Sequence, residues 1–195
     1  MFYTPLESSF FLQDTITVAQ QLLGKSLIHQ TQNGLIGGII VETEAYLGKN
    51  DPASHAYTKE TLRNRALFGE PGHAYIYFTY GMYYCFNVST APIGVGEGVL
   101  IRALEPVAGI NFMKHNRPIS KDLKSLCNGP AKLVQALGIT KELYGVDLLT
   151  SDLRICQNKL NTKSDIVITT RIGIKEVQKL PLRFYIKNNI FVSKI

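Results

Sequence analysis

The stretch YIYFTYGMYYCFN, residues 75–87, places five tyrosines and two phenylalanines in thirteen positions, with a glycine at the bend. Two runs of strand-forming residues meeting at Tyr80-Gly81 read as a β-hairpin. Side chains alternate along a strand, so Tyr75, Tyr77 and Thr79 share one face while Ile76 and Phe78 share the other. In the return strand Tyr83, Cys85 and Asn87 oppose Met82, Tyr84 and Phe86. Both faces are aromatic or apolar. One is therefore expected to pack on a core and the other to line a pocket, where tyrosines stack flat heterocycles and offer hydroxyls. The bend Tyr80-Gly81-Met82 has no place in a core. An aromatic or apolar wedge at a hairpin tip resembles the side chains that enter a minor groove and part base steps. A hairpin folded back on its own protein is the competing reading.

Upstream, two β-rich runs, KSLIHQT and LIGGIIVETEAYLG, flank Asn33-Gly34, which predicts a second hairpin. Residues 15–23 predict a short helix capped by Asp14 and stopped by Gly24. Residues 49–73 carry Pro, Gly, Asn and charge without periodicity, giving a long loop with one helical turn near 59–66. Loops of this length in compact domains are often functional. Downstream of the tyrosine hairpin, PIGVGEG makes a bend and VLIRAL, 99–104, a buried strand. Glu105-Pro106-Val107 predicts the start of a helix running to His115. Asn128 before Gly129-Pro130 predicts a capped helix ended by Gly138. IVITTRIG and LRFYIKNNIFVS read as strands. Strands and helices mix without regular βαβ alternation, so the expected class is α+β, with a mixed or antiparallel sheet and flanking helices. No repeat or linker interrupts residues 1–195, and one domain is expected.

The chain has 195 residues, 45% of them hydrophobic, a formal charge of +6 and a pI near 9.2. That composition fits a globular protein and excludes disorder. The opening MFYTPLESSFFLQD has neither a basic leader nor a long apolar run, so neither export nor a membrane span is expected. Three widely spaced cysteines, Cys85, Cys127 and Cys156, form no CxxC pair and read as reduced cytosolic thiols. The positive excess clusters in residues 100–133 and 171–195. Such clusters suit a polyanion, because neutralised phosphates release counterions; solvated lysines on helix faces are the alternative.

On a strand, Glu42, Glu44 and Tyr46 point to one side. Two carboxylates on an apolar strand must be solvated, paired or useful. Desolvation and a like-charged neighbour raise a carboxyl pKa toward that of a general base; pairing of one glutamate with a core arginine is the plainer reading. In the following loop, His55 alone is more often a structural hydrogen-bonder than a catalyst. Arg63-Asn64-Arg65 reads either as a phosphate clamp or as a loop-fixing cluster. Glu42, Glu44 and His55 match no compact metal-ligand spacing.

Taken together, IVETEAYLG (40–48), NDPASHA (50–56), RNR (63–65), GHAYIYFTYGMYYCFN (72–87), VLIRALEP (99–106), GPAKL (129–133) and PLRFY (181–185) resemble the alkyladenine (3-methyladenine) DNA glycosylase family. The blocks occur in family order across nearly the whole chain. The resemblance implies a single-domain α+β fold whose protruding hairpin enters the minor groove. It also implies a cofactor-free, metal-free, monomeric enzyme that flips damaged purines from double-stranded DNA and hydrolyses their N-glycosidic bond. Carried onto this sequence, Glu44 is the general base and Arg102 helps hold the water. Tyr46 and Tyr77 sandwich the base, with His55 and Ala53 contacting it largely through the main chain and Asn87 discriminating against the guanine amine. Tyr80 fills the vacated gap beside the wedge Met82. Backbone contacts are expected from Arg63, Arg65, Tyr83 and Lys132. A cytoplasmic location follows, on the nucleoid if the source is bacterial. The PIGVGEG bend and the loop from His55 to Arg63 differ in length from some relatives, which bears on DNA contacts and lesion range.

Overall fold

The computed structural model of the chain describes residues 4–79, 81–158, 165–174 and 180–194. In chain order its elements are β1 (Thr4–Pro5), α1 (Ser8–Phe11), α2 (Thr15–Gln21), β2 (Ser26–Thr31), β3 (Gly34–Tyr46), β4 (Ala74–Thr79), β5 (Tyr83–Ser89) and β6 (Gly98–Ala108). There follow α3 (Ile110–Asn116), α4 (Lys124–Cys127), α5 (Pro130–Ala136), β7 (Leu153–Gln157), β8 (Ile166–Thr169) and β9 (Arg183–Ile186). The architecture is α+β. One antiparallel sheet runs β1-β7-β2-β3-β6-β5-β4, and β9 joins β3 while carrying β8 on its far side.

Strand β3 is the spine. Its first half pairs with β2 through the Asn33-Gly34 turn, with Thr31 opposite Gly34. Where β2 ends, β9 takes over that edge and places Tyr185, Phe184 and Arg183 opposite Glu42, Thr43 and Glu44. Strand β6 covers the other edge along nearly its whole length. Residues 42–44 are therefore flanked by strands on both sides, which is why two glutamates there lie in the sheet interior.

Helix α2 packs on this spine. The Asp14 carboxylate accepts the backbone N–H groups of Ile16 and Thr17, both at 3.0 Å. Such a cap is worth about 1 kcal/mol. The buried Val18 and Ala19 face inward, and Thr43 Oγ1 donates to the Ala19 carbonyl at 2.8 Å. Gly24, at φ +82°, turns the chain away from the helix. The core around it includes Phe11, Leu22, Ile40, Phe86 and Leu104, each fully buried. Burial of such a side chain contributes roughly 1.5–3 kcal/mol.

Two sequence expectations are corrected. Residues 105–108 do not open a helix; β6 continues through them, with Pro106 opposite Gly38 beside a register shift. A proline lacking its N–H is tolerated at such an irregularity. The helix begins only at Ile110, after Gly109 turns the backbone at φ +66°. Asn128 does not cap α5. Gly129 holds that position with Pro130 at the first turn, and the Asn128 amide oxygen accepts instead from Lys132 Nζ at 2.8 Å. In the long loop, the expected helical turn takes the form of a 3-10 turn at Arg65–Leu67, with another at Gly48–Asn50.

Candidate active site

Arg102 enters from β6 at the point where its register against β3 slips, between the pairs Glu42–Ala103 and Thr43–Ile101. Bulges of this kind re-aim a side chain. Here the guanidinium reaches both glutamates: Nε donates to Glu42 Oε1 at 3.0 Å, and Nη1 lies 3.2 Å from Glu44 Oε1. From that shared partner the two carboxylates diverge.

Glu42 is saturated. Besides Arg102 it accepts from Arg183 Nε at 2.7 Å, from the Ser193 N–H at 2.7 Å and from Ser193 Oγ at 2.9 Å. It is fully buried and acts as an anchor. Glu44, equally buried, accepts from the Tyr46 hydroxyl at 3.0 Å and from the Ile172 N–H at 2.8 Å. Burial pushes the Glu44 carboxyl above its usual range, while Arg102, the Ile172 N–H and the Tyr46 hydroxyl pull against that rise. Burial also pushes the Tyr46 phenol far up, so it remains an O–H donor toward Glu44.

Tyr46, Arg102 and Ile172, which hold Glu44, all line a cavity of about 260 Å³. Its walls also include Ala53, His55, Tyr75, Tyr77, Cys85 and Asn87. The face of the hairpin that carries Tyr75, Tyr77 and Thr79 is thus the cavity face, while Ile76 and Phe86 pack in the core. The His55 ring stands nearly perpendicular to Tyr77, with centroids 4.5 Å apart, and its Nδ1 lies 2.8 Å from the Tyr75 hydroxyl. Burial, helped by the Arg63 charge, lowers the His55 pKa and leaves a neutral imidazole near pH 7. Asn87 Nδ2 donates to the Tyr75 carbonyl at 3.1 Å, which fixes the amide against the wall.

The remaining predicted residues scatter. Met82 is 66% exposed at the hairpin tip. Tyr80 lies outside the described residues. Arg63 lies over the Tyr77 ring at 5.6 Å and donates to the Phe78 carbonyl at 3.3 Å. Between it and the exposed Arg65, Asn64 ties the loop: its amide donates to the carbonyls of His55 and Lys59 at 2.8 and 3.0 Å. Tyr83 is half-buried on β5, and Lys132 is held on Asn128. The two basic clusters are also less available than their composition implies. Arg102, Arg117, Arg171 and Arg183 are buried, and Arg117 donates to the carbonyls of Ser125 and Leu126.

Sequence reasoning missed Asp51 and Arg171, a buried ion pair joining the loop before His55 to the segment after β8. The one available signal was a lone arginine at the end of the run IVITTR. Tyr75 was on the right face of its strand yet was not taken as a site residue. Among the described residues, no three His, Cys, Asp or Glu side chains are grouped to hold a metal ion, and no helix is long and apolar enough to cross a membrane. The three cysteines are free and buried.

Comparison with known proteins adds the lineage. A model of the family described as Methylpurine-DNA glycosylase (MPG) matches residues 9–190. A relative in Francisella tularensis subsp. tularensis, named "Putative 3-methyladenine DNA glycosylase", is 53% identical over 183 residues, covering 92% of this chain and 94% of its own. Relatives of the same name in Carboxydothermus hydrogenoformans and Methanoculleus marisnigri are 52% and 47% identical, each covering 97% of this chain and 98% of their own. A family match across nearly the whole chain, joined to an aromatic cavity backed by a buried glutamate, leads to one assignment: the chain belongs to the methylpurine-DNA glycosylase family.

Proposed function

We propose that the chain is a monofunctional glycosylase of base excision repair, hydrolysing the N-glycosidic bond of alkylated or deaminated purines in double-stranded DNA and leaving an abasic site. The observation that carries this reading is Glu44, a buried carboxylate with a raised pKa held by three residues of the aromatic cavity wall. The volume of about 260 Å³ is below the range of about 300–1,000 Å³ usual for drug-sized ligands, and it suits one heterocycle rather than a nucleotide.

A base inside the duplex is out of reach and must be extruded at a cost of a few kcal/mol, least for a damaged base. Tyr80 filling the gap, with Met82 beside it, offsets part of that cost. Between the rings of Tyr46 and Tyr77, a purine made cationic by alkylation gains about 0.5–2 kcal/mol. Ala53 and His55 contact its edge through the main chain, and the fixed amide of Asn87 disfavours an exocyclic amine. Glu44 takes a proton from a water held with Arg102, and the water oxygen bonds to C1′ as the C1′–N bond breaks. The electron pair leaves with the purine, and the Glu44 charge stabilises the oxocarbenium character of the sugar. Phosphate contacts fall to Arg63, Arg65, Tyr83 and Lys132. In this scheme the chain acts as a monomer, with its own residues lining the cavity.

The test is base release from duplexes carrying 3-methyladenine, 7-methylguanine, hypoxanthine or ethenoadenine, with wild type and Glu44→Gln. The variant is expected to bind lesion duplexes and lose release by about 10²–10⁴-fold, the share of a general base. Unchanged release would sink the assignment of Glu44. Lesion binding without release by the wild type would make the chain a binding module instead.

A further inference from the structure

Two walls of the cavity come from segments 120 residues apart, and Arg171 joins them. Its side chain is fully buried. Nη1 donates to Asp51 Oδ2 and, at 3.0 Å, to the Ala45 carbonyl; Nη2 donates to Asp51 Oδ1 at 2.7 Å. The guanidinium lies over the Tyr46 ring, 4.6 Å from its centroid. The next residue, Ile172, aims its N–H at Glu44, and Ile172, Gly173 and Ile174 continue along the cavity wall. Asp51 meanwhile accepts the N–H groups of Leu47 and Ala53, at 3.3 and 3.1 Å, and so fixes the start of the loop that carries His55.

A buried ion pair is a weak source of stability, since desolvation cancels most of its attraction. Well-packed apolar residues would hold two segments together at least as firmly. What they could not do is present a planar cation to a tyrosine face while fixing the backbone on both sides of it. We infer that Arg171, oriented by Asp51, is a positioning residue for the glycosylase reaction, holding the Tyr46 ring and the Ile172 N–H against Glu44. It acts through those two groups and touches neither the base nor the water. The inference rests on Glu44 being the general base.

Charge makes the role testable. Glu44 is faced by Glu42 and Tyr46 on its own strand, Arg102 from β6, Arg183 from β9, Cys85 from β5, and the Asp51–Arg171 pair. Removing Arg171 takes away a cation and loosens the Ile172 N–H, both of which favour ionised Glu44. Removing only the Asp51 charge leaves the cation, still held by an amide oxygen. The two changes therefore act on Glu44 in opposite directions, whereas a merely structural pair would give two similar losses.

The experiment is the pH dependence of kcat/KM for hypoxanthine release, for wild type, Arg171→Gln, Asp51→Asn, Arg171→Lys and Glu44→Gln. The low-pH limb is expected to rise by about half a pH unit or more in Arg171→Gln, and to fall or stay in Asp51→Asn. Arg171→Lys keeps the charge and loses the planar stack, so its limb stays while KM rises about 3-fold or more. Limbs shifting the same way in Arg171→Gln and Asp51→Asn, or an unchanged KM in Arg171→Lys, overturn the role. If Arg171→Gln does not fold, a raised limb in Asp51→Asn is enough to overturn it. Wild-type release by Glu44→Gln would instead remove the base and with it the pH arm, leaving KM in Arg171→Lys to decide Arg171.

Discussion

Glu42→Gln and Glu44→Gln make the same chemical change two residues apart, and their effects on stability should differ sharply. At Glu42 an amide keeps one acceptor oxygen for Arg102 and Arg183, but turns an NH₂ toward the Ser193 N–H, donor against donor. It also removes the negative charge between two buried arginines. Breaking a buried, hydrogen-bonded pair from one side costs about 3–5 kcal/mol. For a chain of this size, that corresponds to a fall in Tm of about 6–20 °C. At Glu44 the balance differs, because burial already disfavours the charged form. A carboxyl whose folded pKa is raised supports folding fully below its unfolded pKa, and that contribution is lost as pH rises through the folded value. The amide does not titrate, so Glu44→Gln should gain on the wild type as pH climbs above the usual glutamate range of about 4.5. Calorimetric melts of the three proteins from pH 4 to 8 measure both effects. A Glu42→Gln melt within about 2 °C of wild type would refute the anchoring argument. So would a Glu44→Gln loss as large as that of Glu42→Gln.

Asp14→Ala removes the cap of α2 and should cost about 1 kcal/mol, read as a Tm lower by about 2–4 °C. Gly38→Ala would place a Cβ 2.6 Å from the Glu105 carbonyl oxygen, so urea titration should show a loss of about 1–3 kcal/mol. Tyr80→Ala should weaken binding to lesion duplexes more than to undamaged duplexes; equal losses in a titration would make its role structural. Base release should be unchanged by a chelator, since the proposed step uses only side chains; inhibition reversed by added metal would contradict it.

The 26–46 hairpin, the tyrosine hairpin and α2 were legible because their signals are local: Asn33-Gly34, Gly81 and Asp14 each act within a few residues of themselves. The end of β6 was not. Pro106 looks like a helix start in isolation, and only its pairing with Gly38 keeps it in the sheet. At the site, the i, i+2 spacing of Glu42, Glu44 and Tyr46 gave the shared side of the strand. Which glutamate is paired off is decided by Arg183 and Ser193, 141 and 151 residues away from Glu42. No periodicity encodes that, and the same distance hid Asp51 and Arg171.

Those separations bear on what an incomplete chain can do. A growing polypeptide that has released residues 26–108 already contains both glutamates, Arg102 and the tyrosine hairpin. It still lacks Arg171, Arg183 and Ser193, so Glu42 is left without its Arg183 and Ser193 contacts, Asp51 without Arg171, and the cavity wall of Ile172, Gly173 and Ile174 does not exist. Closing such distant contacts is slow and cooperative, because the entropy of the loops must be overcome before any contact helps. Nascent chains, proteolytic stubs and prematurely terminated products should thus be devoid of base-removing capacity. For a DNA glycosylase, a candidate site completed only by residues 171–193 would confine base removal to chains that have reached them.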